Sequence, residues 1–158
     1  MAVFVQGKTA CPLCTKVIQP DEDSITFPPL FLNSHHRVFE VNDAVVHRAC
    51  LLVRPYGESA LAKLATYEER AGQPRTCRVC GRDISDPDDY FTTGPLADDA
   101  SEGVSRLDWF DAHESCLHVW PGTPALIQDL IKFARSDDWE GDVLTSLATR
   151  LQAVCVGT

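Results

Sequence analysis

The sequence predicts an α+β fold written twice along the chain: two tandem modules, each a tight knuckle, a β-hairpin and a short helix, with additional helix after each. Three observations predict it. Cys11-Pro-Leu-Cys14 and His47-Arg-Ala-Cys50 reappear in the same order as Cys77-Arg-Val-Cys80 and His113-Glu-Ser-Cys116, every position displaced by 66. Between the two pairs of each set lie short runs of β-branched and aromatic residues interrupted by proline. Beyond each set, apolar residues recur at helical spacing. The repeat divides the chain into residues 1–72 and 73–158, with Ala71-Gly-Gln-Pro-Arg75 as the short linker that keeps the two close.

Each element has its own signal. Gly81, directly after Cys80, suits the left-handed backbone that closes a knuckle, whereas the first copy carries Thr15 there. In the first module, 24–27 reads as a strand stopped by Pro28 and Pro29, 38–41 as a second strand, and Asn42-Asp43 as a turn. Ala44-Val-Val then leads into a helix over 47–54 that Pro55 ends. The second module repeats this with strands at 90–93 and 107–110 and a helix over 113–120 before Pro121. Ser59 is placed to cap a following helix that presents Leu61, Leu64 and Ala65 and ends near Gly72. Thr123 is the matching cap in the second module, with Pro124 in the first helical position and Leu126, Ile127, Leu130, Ile131 and Ala134 along one face. Val143, Leu144, Leu147, Leu151 and Val154 signal a last helix, and these stripes are expected to be core.

The spacing of the two sets carries a chemical meaning. A Cys-x-x-Cys knuckle turns two thiolates to one side, and His-x-x-Cys puts an imidazole and a thiolate on one face of a helical turn. Cys11, Cys14, His47 and Cys50 therefore complete one Cys3His tetrahedron, and Cys77, Cys80, His113 and Cys116 a second. Sulfur with imidazole selects zinc, with iron as the occupant that spacing alone leaves open, so two structural zinc ions are the expected cofactors. Three disulfides would leave both histidines unexplained and would suit a secreted chain. The start, Met1-Ala-Val-Phe-Val-Gln-Gly-Lys, has no basic residue before an apolar run, and no stretch is long enough for a membrane span, so a cytoplasmic location is expected. Cys155 is left over as a small hydrophobe in an apolar tail, and His118 is read as structural because Leu52 holds the equivalent place. Modules of this size are near the limit at which a core alone is stable, and a metal would supply the difference.

Charge narrows the partner. The formal net charge is −9, with seven basic and eight acidic residues in 1–70 against seven and fifteen in 71–158. Each filled Cys3His site adds one more negative charge. Phosphate binding needs clustered Lys and Arg, so nucleic acid is not the expected ligand. Acidic residues gather between Cys80 and His113, among them Asp83, Asp86, Asp88, Asp89, Asp98, Asp99, Glu102, Asp108 and Asp111. Tyr90, Phe91, Trp109 and Phe110 lie in the same segment, with at most one of the last two rings expected to be fully buried. Asp88, Asp89, Asp98, Asp99, Trp109 and Phe110 are the candidate partner-binding residues, to be weighed against a solvated acidic face over a hairpin core.

Knuckle, hairpin and a helix bearing the second ligand pair resemble the treble-clef zinc fold, and the Cys-Cys-His-Cys order resembles the first finger of LIM domains. The likeness covers Cys11 to Arg54 and Cys77 to Trp120; the 32-residue gap is longer than in LIM fingers, and each copy lacks the second LIM site. The resemblance implies metal binding and says little about function. A closed four-ligand site has no position for substrate, so the expectation is a non-enzymatic protein-interaction module, an adaptor or an inhibitor of antitoxin or immunity type for a basic protein. The alternatives are an HNH-like metal-dependent nuclease using His35 and His36, which become Ser101 and Glu102 in the second copy, and a nucleic-acid-binding zinc-finger regulator.

Overall fold

The computed structural model describes residues 5, 7–98 and 102–156. The chain divides into two compact units, Met1–Ala71 and Gly72–Thr158. In the first, Ala10 and Val17 form an antiparallel bridge around the knuckle, and the Cys11 N–H donates to the Lys16 carbonyl at 2.9 Å. Thr15 closes the knuckle at φ 62, the left-handed conformation anticipated for this position. Strand β1 (Ser24–Thr26) pairs antiparallel with β2 (Val45–His47), placing Ile25 opposite Val46.

The strand expected at 38–41 is instead a 3₁₀ turn, Arg37–Val41. Val38 and Val41 are its buried residues. A spacing of three brings two side chains onto one face of a 3₁₀ turn, whereas in a strand they would point to opposite faces. The hairpin's return strand is thus Val45–His47, which runs straight into the first ligand of the next pair. Two features fasten the segment between the strands. The Phe27 N–H donates to the Ala44 carbonyl at 2.8 Å, and Asn42 Oδ1 accepts from the N–H groups of Leu30 and Phe31 at 2.8 and 2.9 Å.

Helix α1 (Arg48–Leu52) leads to α2 (Gly57–Ala71). Ser59 does not cap α2: the helix has already begun at Gly57, and the Ser59 hydroxyl donates to the Tyr56 carbonyl at 2.8 Å. Only glycine fits that start, because a Cβ on Gly57 would stand 2.3 Å from the Leu51 carbonyl oxygen. Of the stripe expected on α2, Leu64 is buried and Leu61 half-buried, while Ala65 is exposed and Ala60 takes its place in the core. Phe27, Phe31, Leu30 and Leu51 are the large fully buried side chains between hairpin and helices.

The second unit repeats the plan with a larger helical layer. Thr76 bridges Asp83 around the knuckle, and Gly81 takes φ 73. Strand β3 (Phe91–Thr92) pairs with β4 (Asp111–Ala112). The strand expected at 107–110 is again displaced, because Gly103–Leu107 is a 3₁₀ turn with Val104 and Leu107 buried three residues apart. The Thr93 N–H donates to the Phe110 carbonyl at 3.2 Å, and Asp108 Oδ1 accepts from the Ala97 N–H at 2.8 Å, which repeats the fastening by Phe27 and Asn42. Helix α3 (Glu114–Val119) is followed by α4 (Thr123–Ala134) and α5 (Val143–Val156). Thr123 is the first residue of α4 rather than its cap; Gly122 has the cap position, and the Thr123 hydroxyl donates to the Leu117 carbonyl at 2.5 Å. Helix α5 packs on α4 and α3, with Leu144, Leu151 and Leu130 fully buried. Among the described residues, no helix is long and apolar enough to cross a membrane.

Candidate metal centres

The structure brings the eight sequence-predicted ligands together as two separate groups, Cys11, Cys14, His47 and Cys50, and Cys77, Cys80, His113 and Cys116. Within each group, one donor atom per residue lies within 4.8 Å of every other. The elements explain the convergence. Each knuckle is tied across its base, since the Thr15 N–H donates to the Cys11 carbonyl at 2.8 Å and the Gly81 N–H to the Cys77 carbonyl at 2.9 Å. His47 ends its return strand and His113 directly follows its own, and each occupies the N-cap of the short helix with extended backbone, φ −65 and ψ 132 at His47 and φ −68 and ψ 137 at His113. The third cysteine follows one helical turn later.

The distances match a small four-coordinate cation. His47 Nδ1 lies 3.4 Å from Cys14 Sγ and 3.8 Å from Cys50 Sγ, and His113 Nδ1 lies 3.6 Å from Cys80 Sγ and 3.8 Å from Cys116 Sγ. A tetrahedron with the usual zinc–sulfur and zinc–nitrogen bond lengths has sulfur-to-nitrogen edges of about 3.6 Å. The donor sets therefore fit a metal in both groups.

The thiols respond to one another. Burial pushes Cys50 up to about 11, helped by neighbouring Cys14 and Cys11, and pushes Cys116 up to about 11, helped by Cys80 and Cys77. The Lys16 N–H lowers Cys14, while the Arg82 side chain, hydrogen-bonded to Cys80, lowers that thiol. At Cys77 burial raises the thiol, but the N–H groups of His113, Cys80 and Val79 outweigh it. A bound divalent cation supplies a larger local charge than any of these and deprotonates a coordinated thiol outright.

Around the ligands the two groups differ. Glu22 Oε2 sits 3.1 Å from His47 Nε2 and also accepts from the Gln19 N–H at 2.7 Å. The Gln19 N–H and then the His47 ring hold the Glu22 carboxyl below the usual carboxylate range. Nothing in the ligand spacing marks Glu22; the available signal is that an acid also stands at the equivalent Asp88. Asp88, however, is exposed, and the adjacent Asp89 turns instead to the start of α3, accepting from the Ser115 N–H and hydroxyl at 2.8 Å each.

The other sequence candidates scatter. Asp98 is half-buried, Asp99 lies outside the described residues, and Asp111 is buried with the Tyr90 hydroxyl donating to it at 2.6 Å. Phe110 is buried and stacked on Trp120 at 5.7 Å between centroids, while Trp109 is half-buried at φ 52. Among the described residues of this candidate set, Asp88 is exposed, Asp89, Asp98 and Trp109 are half-buried and Phe110 is buried. His118 Nδ1 lies 2.8 Å from the Val154 carbonyl on α5 and is not a ligand; Cys155 is half-buried. His35 is exposed, and His36 Nε2 lies 3.3 Å from Asn33 Nδ2, away from both groups. No protein family, curated protein or solved structure matches the chain.

Proposed function

We propose that the chain is a zinc-stabilised protein-interaction module, in which one structural zinc holds each of two treble-clef-like units and neither metal takes part in catalysis. The observation that carries this reading is closure. In each group the imidazole nitrogen stands 3.4 to 3.8 Å from two of the three sulfurs and all four donors lie within 4.8 Å of one another, a set that suits zinc and leaves no coordination position for water or substrate. The order of knuckle, hairpin and ligand-bearing helix in each unit supports the treble-clef comparison. The partner is a protein with a basic surface, towards which the chain acts as adaptor or inhibitor. Fifteen acidic against seven basic residues in 71–158 support it, as does the exposure of Asp83, Asp86 and Asp88. Phe110 and Asp111 belong to the core and do not contribute to that surface.

Elemental analysis of the purified chain is expected to return two zinc ions per molecule; one or none overturns the reading. Immobilised protein is expected to retain a basic protein at low salt and release it as salt rises, and Asp83→Lys with Asp88→Lys to lose it. Binding indifferent to both salt and charge reversal would remove the basic-partner reading and leave the metal reading standing.

A further inference from the structure

We infer that the two centres are unequal by construction: Glu22 is a positioning residue that locks His47 and tightens the first site, so the second site gives up its metal first. The inference rests on the zinc reading above. His47 turns Nδ1 to Cys14 and Cys50, which leaves Nε2 to face Glu22 Oε2 at 3.1 Å. A carboxylate on the outer nitrogen of a ligating imidazole fixes its tautomer and ring plane and makes the inner nitrogen a better donor. Glu22 is itself held, since the Gln19 N–H donates to the same oxygen at 2.7 Å and the Glu22 N–H to the Gln19 carbonyl at 3.2 Å.

The second unit routes the equivalent loop differently. Asp86 caps the 3₁₀ turn Pro87–Asp89 by accepting from the Asp88 N–H at 2.9 Å, and the turn delivers Asp89 to Ser115. Asp89 is near enough to interact electrostatically with His113, but its two oxygens are taken by the Ser115 N–H and hydroxyl, and among the described residues the His113 ring has no hydrogen bond to a carboxylate. Access does not point one way: an open cleft beside the first site is lined by Cys14, Glu22, His47, Arg48, Cys50 and Leu52, whereas the second site holds an exposed thiol, Cys80, and the first holds none. The response of the first site to substitution of Glu22, rather than the order of release alone, therefore separates support of the ligand from access to it. Loss of one metal from a fully loaded chain would open the acidic unit alone.

The test uses the full chain loaded with zinc and challenged with excess chelator, the freed thiols being alkylated at intervals and mapped by mass spectrometry. Two phases are expected, with Cys77, Cys80 and Cys116 labelled in the fast one and Cys11, Cys14 and Cys50 in the slow one. Glu22→Ala should speed the slow phase by about 10- to 100-fold and leave the fast phase unchanged. Glu22→Gln keeps an acceptor oxygen without the charge and should fall between wild type and Glu22→Ala; release outside that interval counts against the inference. Circular dichroism of the loaded variants separates positioning from misfolding, and if Glu22→Ala does not fold, Glu22→Gln carries the test in the same direction. A chain that binds no zinc refutes the zinc reading itself. Two zinc ions released in one phase, release from the first site first, or a slow phase unmoved by Glu22→Ala refutes the inference alone.

Discussion

The two units carry the same donor geometry on different supports. In the first, the hairpin and α1 share a core with one further helix, α2, whose buried residues are Gly57, Ala60 and Leu64. In the second, α4 and α5 add a helical layer with Leu130, Leu144 and Leu151 fully buried. The local hydrogen bonds around the ligands nevertheless repeat, from the tied knuckle to the histidine at the helix N-cap. Ligand placement is thus a property of short-range backbone geometry, and the surrounding core decides how much structure remains when the metal is taken away.

Metal removal is the largest perturbation of this comparison, since structural zinc contributes apparent binding free energies of about 10 to 16 kcal/mol per site. After complete chelation, the first unit is expected to unfold while part of the helical signal survives in α4 and α5, as followed by circular dichroism and amide exchange. Simultaneous loss of all helix would show that the extra layer lends no independence. Next in size, Leu130→Ala should cost the second unit about 2 to 5 kcal/mol and leave the first unchanged, as read from the exchange of each unit's amides in the loaded protein. Equal loss of protection in both units would mean that they unfold as one.

Two smaller substitutions compare equivalent positions. Asp89→Ala removes a carboxylate from the start of α3 and should cost about 1 to 2 kcal/mol, whereas Asp23→Ala removes only an exposed pair with Arg48 at 3.1 Å and should cost at most about 1 kcal/mol. Thermal melts that rank the two the other way would mean that Ser115 has another partner for its N–H. Smallest is the knuckle residue. Gly81→Ala should lose about 1 kcal/mol at φ 73, and Thr15→Gly should gain less than about 1 kcal/mol at φ 62, because glycine's freedom in the unfolded chain offsets the relief.

The ligands were legible because metal geometry imposes a spacing on the chain and a repeat tests that spacing twice. Helices α2 and α4 were legible from their apolar period, but both start signals erred: Ser59 and Thr123 bond to preceding carbonyls instead of capping an N–H group. The return strands were misplaced because Val38 with Val41 and Leu107 with Phe110 read equally as short strands, and only the turn geometry separates the two. Glu22 was hidden for another reason. Its role depends on which of three consecutive acids, Asp21, Glu22 and Asp23, faces the imidazole, and that is settled by the Gln19 turn. Within the acidic run, charge along the sequence does not distinguish Asp88 in solvent from Asp108 and Asp111, which bond within the fold.

The fastening of 28–41 and 94–107 at their bases has a consequence for how such a protein can change. Both excursions have the same length, both close on a backbone bond between the strands, and both are gathered by one side chain, the amide of Asn42 or the carboxylate of Asp108. A segment held in that way is expected to behave as a cassette, anchored at its base independently of the residues it turns outward. Exchange confined to the outward residues, with Leu30, Phe31, Val38 and Val41 or Leu96, Val104 and Leu107 kept in the core, is expected to leave both donor sets in place.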